Sequence, residues 1–268
     1  QTITIQDTTP PVVTGLLSGV TVQGCSVAAA PAPVTTVAQL ESLAGSITIN
    51  DVCTAKASLT VTSTETTSGA GTCSITVTRT YKISDACGNT VSVTQSISIV
   101  DTTAPVWTTP AGALNVYLEC SDASGIATAL ADRPIASDNC GTVSVTVKSL
   151  GAFIPSGGCS QAGTYTIRYT AVDNCGNTSS DYIQVITLED NTIPDIVAPP
   201  TAVVACTVNP LPALTGSPTV SDNCDLAPTV TYTDNPILTT CAGDYKIVRT
   251  WIARSEEHTS ELQSHLNL

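Results

Sequence analysis

The chain has 268 residues, a formal net charge of −13 at pH 7 and only 12% charged residues. This acidity repels phosphate backbones and anionic lipid surfaces, so nucleic acid is not an expected partner. No apolar run approaches the roughly 18 residues that cross a bilayer, so membrane insertion is not expected either. The aromatic content is 4%, and Thr, Ser and Val are abundant, which favours strands over helices and predicts an all-β fold.

Similar segments recur along the chain about every 90 residues. The opening QTITIQDTTPPV (1–12) returns as QSISIVDTTAPV (95–106) and more loosely as QVITLEDNTIPDIV (184–197). Because one β-sandwich has about this length, we predict tandem immunoglobulin-like β-sandwich domains held together by disulfides. The expected boundaries are 1–7 for the last strand of a preceding repeat, 8–101 for repeat 1, 102–190 for repeat 2, 191–253 for a truncated repeat 3 and 254–268 for a non-native tail.

Local patterns predict the elements of the first two repeats. AQLESLAG (38–45) has apolar residues at helical spacing before a glycine, which predicts a short surface helix. Apolar residues then alternate with polar ones over 75–83 and again over 91–99, on either side of DACGN. The second repeat has the same alternation before and after DNCGN. Each pair of runs predicts a β-hairpin with the cysteine motif at its tip.

Eleven cysteines follow the same period, and none forms a C-x-x-C pair. This spacing argues against zinc ribbons and redox motifs, and it indicates a disulfide framework in an oxidising, extracellular compartment. The four, four and three cysteines of the successive repeats are Cys25, Cys53, Cys73 and Cys87; Cys120, Cys140, Cys159 and Cys175; and Cys206, Cys224 and Cys241.

Strand geometry limits how these cysteines pair. Cys73 and Cys87 lie at opposite ends of one predicted strand, roughly 45 Å apart, so they cannot bond to each other. In an immunoglobulin-like sandwich the loop that enters the third strand shares a pole with the final hairpin. We therefore predict that each repeat closes its own disulfides and that truncation leaves Cys224 unpaired. The expected pairs are Cys53 with Cys87 and Cys140 with Cys175 at one pole, and Cys25 with Cys73, Cys120 with Cys159 and Cys206 with Cys241 at the other.

The last 15 residues, RSEEHTSELQSHLNL, differ in composition from everything before them. They contain both histidines of the chain, and RSEEHTSELQS is similar to the translation of a common sequencing-adapter oligonucleotide. We therefore expect that the native sequence continues differently after Ala253, with a third D-x-C-G-N motif.

The residues offer little for catalysis, and we predict that the chain is not an enzyme. A cysteine nucleophile needs a base or a cationic neighbour, and no histidine occurs before the tail. A zinc site lacks closely spaced ligands. Paired carboxylates for glycoside hydrolysis could come from Asp138, Asp173 and Asp181. The acids recur in every repeat, however, as expected of a scaffold, whereas an active site is needed only once.

Acidic residues gather at the joints between repeats and at the hairpin poles. An aspartate before Thr-Thr-Pro or before a cysteine typically caps a turn through its own side chain, and we favour this interpretation. Calcium is the alternative, since it prefers oxygen ligands. The candidate calcium ligands are Asp7, Asp85, Asp101, Asp173 and Asp190.

Taken together, SDNCDLAPTVTYTD (221–234), the DACGNT and DNCGNT motifs and VDTTAPV (100–106) resemble a known family. They are similar to the four-cysteine, hyalin-repeat-like (HYR-like) immunoglobulin-type modules of large secreted surface proteins of Bacteroidota. The resemblance implies a non-catalytic module of a cell-surface adhesin, with gliding or biofilm roles and export by type IX secretion. It implies neighbouring repeats and a surface glycan or protein as partners. The alternative is a carbohydrate-binding or spacer region attached to a secreted hydrolase.

Overall fold

A computed structural model of the chain describes residues 1–156, 159–205, 207–238, 245–255 and 259–267, and it confirms the all-β fold of successive sheets. The chain forms two compact units that do not follow the repeat boundaries, because one pole of repeat 2 belongs to the first unit. The first unit comprises Gln1–Trp107, Ala136–Val145 and Ala171–Ser180, and the second comprises Thr108–Ile135, Thr146–Thr170 and Asp181–Leu268.

Repeat 1 is a sandwich of two sheets. Strands β1 and β3 pair antiparallel, and the other sheet has the order β2-β6-β5-β4, in which β2 runs parallel to β6. The predicted hairpin is confirmed: β5 and β6 pair from Ser74–Val100 to Ser84–Thr90, with DACGN at the tip. The elements are β1 (Val12–Leu17), β2 (Val20–Gln23), α1 (Val37–Glu41), β3 (Gly45–Asn50), β4 (Thr60–Ser68), β5 (Ser74–Ser84) and β6 (Thr90–Val100).

The inward-facing residues of the alternating runs form the core of repeat 1. Ile47 and Ile49 of β3 pack against Tyr81 and Ile83 of β5, and a second cluster joins β5 to β6. The predicted helix exists as α1, but it does not lie only on the surface, since Leu40 is fully buried in this core. The apolar side of α1 therefore contributes to the core of repeat 1.

Repeat 2 contains the second predicted hairpin. Strands β12 and β13 pair from Gly163–Leu188 to Tyr169–Tyr182, within a sheet of order β10-β12-β13-β8, and β8 runs parallel to β13. Strands β7 and β9 form a separate two-stranded sheet. The elements are β7 (Val106–Trp107), β8 (Val116–Glu119), α2 (Ala123–Ala131), β9 (Ala136–Ser137), β10 (Val143–Leu150), β11 (Ile154–Ser156), β12 (Cys159–Asp173) and β13 (Tyr182–Glu189).

Repeat 3 has a two-stranded sheet, β14-β15, and a three-stranded sheet, β16-β17-β18. The last strand lies in the segment that we interpret as a foreign tail and pairs antiparallel with β17. Ile196, Trp251 and Ala253 form the buried cluster of this repeat. The elements are β14 (Asp195–Val197), α3 (Pro212–Thr215), β15 (Thr219–Ser221), β16 (Thr229–Leu238), β17 (Tyr245–Arg254) and β18 (Thr259–Asn267).

A buried arginine recurs in repeats 1 and 3, and the sequence did not reveal it. Arg79 donates to Glu65 on the paired strand and to the carbonyl oxygen of Pro31, at 2.7 and 2.6 Å. Arg249 makes the same two contacts with Asp234 and Pro210, also at 2.7 and 2.6 Å. In each repeat an exposed carboxylate and a carbonyl oxygen satisfy a charge that would otherwise be costly to bury.

Candidate functional site at the joints between repeats

Three joints contain the aspartates and cysteines of the recurring motifs. Each is defined here by its acids: joint 1 by Asp7, Asp51 and Asp85, joint 2 by Asp101, Asp138 and Asp173, and joint 3 by Asp190 and Asp222. In joints 2 and 3 the first acid follows a hairpin strand, β6 or β13, whereas residues 1–7, expected to be a strand, form none before Asp7 of joint 1. The other acids lie two residues before a cysteine. Joints 1 and 2 lie within the first compact unit and joint 3 lies within the second.

The disulfides join one repeat to the next. At joint 2, Cys25 bonds to Cys140 and Cys73 bonds to Cys175, with Cα–Cα distances of 4.9 and 5.2 Å. At joint 3, Cys120 bonds to Cys224, with a Cα–Cα distance of 5.9 Å. All three distances lie in the range that a disulfide bridges. In each bond the first or third cysteine of one repeat meets the second or fourth cysteine of the following repeat.

The four disulfides predicted within repeats 1 and 2 are therefore wrong. As expected, Cys25 and Cys73 lie at one end of repeat 1, and Cys140 and Cys175 lie at one end of repeat 2. The bonds, however, connect the two ends to each other instead of joining the two cysteines of one end. The sequence places cysteines at poles without showing that two poles face each other. The bond from Cys120 to Cys224 contradicts both the Cys120–Cys159 pair and an unpaired Cys224. Cys53 and Cys87 are free and exposed, and Cys206 and Cys241 lie outside the described residues.

Every aspartate of the joints caps a turn, as the favoured interpretation predicts. In each case Oδ1 accepts a hydrogen bond from the backbone N–H two residues later, for example from Cys140 to Asp138 at 2.7 Å. Such Asx turns fix the loop that carries the cysteine. The eight aspartates are Asp7, Asp51, Asp85, Asp101, Asp138, Asp173, Asp190 and Asp222.

The second carboxylate oxygen has no hydrogen-bond partner at several of these aspartates. Oδ2 is buried without a hydrogen-bond partner at Asp7, Asp51, Asp101, Asp138 and Asp222. In joint 1, one ligand oxygen from each of the three acids lies within 4.8 Å of the others. In joint 2, an oxygen of Asp101 lies within the same distance of Asp138 and of Asp173. Turn capping therefore accounts for only one of the two oxygens of these carboxylates.

Asp85 and Asp173 differ from the other acids because both of their oxygens are occupied. Asp173 accepts from the backbone N–H groups of Cys175 and Asn177 and from the side chain of Asn177, at 2.7, 2.9 and 2.8 Å. Burial raises the pKa of this carboxyl, but the hydrogen bonds outweigh burial and lower the pKa overall. The pKa of Asp85 is lowered in the same way, with Asn89 as the main donor.

The glycine of each D-x-C-G-N motif permits the tight turn that presents the cysteine. Gly88 and Gly176 have φ angles of 90° and 87°, in the left-handed region that glycine adopts without strain. The asparagine that follows also ties the hairpin tip to the joint. Asn89 donates to the carbonyl oxygen of Asp7 at 3.3 Å, and Asn177 donates to that of Asp101 at 3.2 Å.

The donor set of joints 1 and 2 fits a hard cation such as calcium. The ligand atoms in joint 1 are carboxylate oxygens, and in joint 2 two carboxylate oxygens lie beside the disulfide-bonded sulfur of Cys140 or Cys175. Calcium prefers oxygen ligands, and several of these oxygens are buried and lack another partner. Asp101 is 8% exposed, and its Oδ2 is buried without a hydrogen-bond partner. Within the described part of the chain, no ion pair involves any of the six acids of joints 1 and 2.

The structure groups four of the five candidate calcium ligands. Asp7 lies with Asp85, and Asp101 lies with Asp173. Asp190 is buried and caps its turn, but among the described residues it belongs to no such group. The candidate set lacked Asp51, although it precedes Cys53 as Asp138 precedes Cys140. It also lacked Glu119 of joint 3, whose carboxylate accepts from Asn223 at 2.9 Å.

Asp181, the third acid considered for glycoside hydrolysis, has a different role. Asp181 forms an ion pair with Lys148 at 2.7 Å and lies 3.7 Å from Arg168. All three side chains are partly exposed, as is typical of a surface ion-pair group.

Ser255 occupies the place in repeat 3 where repeats 1 and 2 have Asp85 and Asp173. Counting from Arg79 and Arg249, Asp85 and Ser255 are at the same register. Ser255 is 1% exposed, and its hydroxyl is buried without a hydrogen-bond partner. A buried polar group of this kind is unfavourable, which agrees with the expectation that an aspartate belongs at this position.

No protein-family model and no characterised protein sequence matches the chain. Among the described residues, no helix is long and apolar enough to span a bilayer. Solved cadherin structures match the chain loosely. Protocadherin gamma B2 extracellular cadherin domains 1–5 share 13% identity with a TM-score of 0.29, and the match covers 78% of this chain and 51% of that one. The chain thus spans about half of that protein's solved length.

Two further cadherin structures match over nearly the whole chain. Drosophila N-cadherin EC1–4 shares 13% identity with a TM-score of 0.33, and the match covers 96% of this chain and 75% of that chain. Mouse cadherin-23 EC22–24 shares 12% identity with a TM-score of 0.31, and the match covers 96% of this chain and 98% of that chain. At these TM-scores no residue role is transferred from cadherins to this chain.

Proposed function

We propose that this chain is a non-catalytic extracellular repeat module of a cell-surface adhesin, and that its function is to bear tension. The main support is that each described disulfide connects successive repeats instead of closing a single one. The disulfides also indicate an oxidising, extracellular location. The recurrence of the same joint along the chain is typical of a structural array, whose repeats need no individual chemistry.

The order of the disulfides limits how far the chain can be stretched. Force applied at the ends passes from Cys25 through the bond to Cys140, back along the backbone to Cys120, and through the second bond to Cys224. Only about 20 residues then remain extensible between Cys25 and Cys224, or roughly 70 Å at ~3.4 Å per residue. With the bonds reduced, about 200 residues extend over roughly 680 Å.

Single-molecule force spectroscopy of the full chain tests this proposal. Under oxidising conditions we expect almost no unfolding extension between Cys25 and Cys224, because the bonds bypass most of the backbone. Adding a reductant should release extension steps that sum to several hundred ångströms. The double variant Cys25→Ser/Cys120→Ser keeps the Cys73–Cys175 bond, so without reductant about 97 residues should extend, over roughly 330 Å. Cys53→Ser/Cys87→Ser is a matched control that should remain short. Long steps in oxidised wild-type protein would contradict the proposal.

Calcium would stiffen the same joints. In joint 1, Asp7, Asp51 and Asp85 would hold the ion together. In joint 2, Asp101 would hold it with Asp138 or with Asp173. The ion would neutralise acids that otherwise repel one another. A bound ion stabilises the folded state by RT ln(1 + [L]/Kd), about 2.7 kcal/mol when its concentration is a hundred times Kd.

Thermal unfolding in calcium and in chelator tests this calcium proposal at constant ionic strength. We expect calcium to raise Tm of the wild type. Asp7→Asn/Asp101→Asn should lose most of the rise, because asparagine keeps the capping oxygen and replaces the free one with an amide. The control Asp181→Asn, which alters an ion-paired surface acid, should retain the rise. An unchanged Tm in the wild type would contradict calcium binding.

The resemblance to HYR-like repeats supports a finer proposal. We propose that the chain belongs to a secreted surface protein of a Bacteroidota cell, exported by type IX secretion, with repeats at 8–101, 102–190 and 191–253. A surface glycan or protein would be the ligand of the parent protein. Binding of intact chain to a glycan array, compared with chain reduced and alkylated, would show whether these repeats themselves contribute to recognition.

A further inference from the structure

We propose that calcium binding and the two disulfides of joint 2 depend on each other. The joint binds calcium tightly while the bonds Cys25–Cys140 and Cys73–Cys175 are closed, and bound calcium makes both bonds harder to reduce. This inference rests on the calcium binding and the tension-bearing role proposed above, and it adds a regulator to them. The joint opens under force only where calcium is scarce and a thiol reductant is present.

Both disulfides of joint 2 line one small cavity. The cavity has a volume of about 70 Å³, and the cysteines of both bonds contribute to its wall together with Asp101. A site for one water molecule needs only about 10–15 Å³, so the cavity has room for an ion and some of its water. All of the residues around it belong to the first compact unit. An ion in this cavity therefore lies next to both bonds.

Asp101 is the cavity residue that is suited to hold a cation. Its Oδ1 accepts hydrogen bonds from the side chain of Gln23 and from the backbone N–H of Thr103, at 2.9 and 3.1 Å. Its Oδ2 is buried without a hydrogen-bond partner. A carboxylate oxygen of Asp101 lies within 4.8 Å of the sulfur of Cys140 and within the same distance of the sulfur of Cys175. The carboxylate that binds the ion is thus adjacent to one sulfur of each disulfide.

The disulfides hold the acids of joint 2 together. Asp138 and Asp173 each accept from the backbone N–H of the cysteine two residues later, at 2.7 Å, so each carboxylate is fixed to the turn that carries one sulfur. On the other side of the joint, the backbone N–H of Asp101 donates to the carbonyl oxygen of Cys73 at 3.4 Å. When the bonds are open, the like charges repel one another and the ligands separate. The closed bonds therefore assemble the calcium site.

Binding of calcium to the closed joint alone implies a reciprocal effect on reduction. Reducing one bridge with glutathione consumes two reduced glutathiones and yields two protein thiols and one oxidised glutathione. Reducing both bridges also releases the ion, because its ligands separate. By thermodynamic linkage, calcium then lowers the equilibrium constant for reducing the pair by a factor of 1 + [Ca²⁺]/Kd, which is about a hundredfold when the calcium concentration is a hundred times Kd.

The third disulfide provides an internal control. A single carboxylate, that of Glu119, groups with the sulfurs of the Cys120–Cys224 bond. This carboxylate already accepts hydrogen bonds from the side chain of Asn223 and from the backbone N–H of Asn191, at 2.9 and 3.1 Å. We therefore expect calcium to have no effect on the reduction of this bond. An effect confined to joint 2 distinguishes local coupling from a general stabilisation of the chain.

The test follows each bond of the full oxidised chain in glutathione buffers of increasing reducing strength, in calcium and in chelator at constant ionic strength. Free thiols are trapped by alkylation, and the reduced fraction of each bond is measured by mass spectrometry. Kd of joint 2 comes from calorimetric calcium titration of Asp7→Asn, in which the joint 1 site is impaired. We expect calcium at a hundred times Kd to lower the equilibrium constant for reducing joint 2 about a hundredfold. Reduction of Cys120–Cys224 should be unchanged.

Asp101→Asn tests the role of the buried carboxylate. Asparagine keeps the oxygen that accepts from Gln23 and Thr103, and it replaces the free oxygen with an amide. We expect peptide maps of this variant to retain both bonds of joint 2, which shows that its fold is intact, while most of the calcium effect on their reduction is lost. The control Asp181→Asn alters a surface acid that pairs with Lys148, and it should retain the full effect.

Cys140→Ala/Cys175→Ala tests the reverse direction, since neither bond of joint 2 can close. We expect calorimetry to show one calcium site fewer than in the wild type, with the Cys120–Cys224 bond retained as evidence of folding. Three outcomes would overturn the inference: equal reduction of joint 2 in calcium and in chelator, equal protection of all three bonds, or an unchanged number of calcium sites in this variant. These outcomes leave calcium binding and the tension-bearing bonds intact, whereas failure of the oxidised wild type to bind calcium overturns the calcium proposal and this inference together.

Discussion

At Asp173 one short side chain receives three hydrogen bonds, and the same arrangement recurs at Asp85. The residues that donate them lie within four positions along the chain, so the D-x-C-G-N motif contains most of the information needed to build its own turn. This is why turn capping could be predicted from sequence. The closeness of the Asp51 and Asp138 carboxylates to other acids could not be predicted, because it depends on strands that are distant in sequence.

The lowered pKa of Asp85 and Asp173 predicts a specific loss of stability in acid. Because the folded-state pKa lies below the unfolded value of about 3.9, the ionised carboxyls stabilise the fold above that pH. That contribution is lost as pH falls through the folded-state pKa. In chelator, we expect Tm of the wild type to fall more steeply below about pH 4 than Tm of Asp85→Asn/Asp173→Asn. Parallel pH profiles for the two proteins would contradict this assignment.

The hairpins β5–β6 and β12–β13 are the elements that the sequence predicts best. Their alternating residues and glycine-containing tips are local signals, and each strand pairs with its neighbour along the chain. The parallel pairings of β2 with β6 and of β8 with β13 join segments about 70 residues apart, and no local pattern indicates them. Helix α1 was found by its periodicity, but its burial depends on the sheets that it covers.

A buried glutamine holds the edge of the second repeat together. Gln184 of β13 is fully buried and donates to the carbonyl oxygens of Leu114 and Ala129 at 3.1 and 2.9 Å. The Tyr169 hydroxyl lies 2.7 Å from its side-chain oxygen. Gln184 therefore links the segment before β8 and the end of α2 to the central hairpin. The sequence pattern, a polar residue among apolar ones, does not predict this role.

Replacing this glutamine should be costly. In Gln184→Ala the carbonyl oxygens of Leu114 and Ala129 lose a buried donor, and each such loss costs about 1–3 kcal/mol, whereas the Tyr169 hydroxyl keeps the carbonyl oxygen of Asp132 as a partner. We expect the free energy of unfolding to fall by about 3 kcal/mol or more in urea titrations of the oxidised protein. The neighbouring Ile183→Ala is the matched control, since Ile183 is 43% exposed, and its cost should be below about 1 kcal/mol. Equal losses in both variants would show that Gln184 has no special role.

For the whole molecule, the sequence predicted that Cys25 and Cys73 lie at one end of a repeat and that Cys140 and Cys175 lie at one end of the next, but it did not predict which sulfurs bond. The spacing of cysteines along one repeat indicates which sulfurs lie at the same end of that repeat. Whether a sulfur bonds within its own repeat or to the next one depends on which cysteines are close enough, and that depends on the contact between repeats. All three described disulfides connect one repeat to the next. The same pairing leaves Cys53 and Cys87 free and exposed.

Disulfide mapping of the unreduced, oxidatively folded chain tests the central claim most directly. The protein is digested at acidic pH to prevent exchange, with proteases that cut between the cysteines, and linked peptides are identified by mass spectrometry. We expect Cys25 linked to Cys140, Cys73 linked to Cys175 and Cys120 linked to Cys224. Peptides that link Cys25 to Cys73 or Cys140 to Cys175 would show that each repeat closes on itself, and they would contradict covalent joints between repeats.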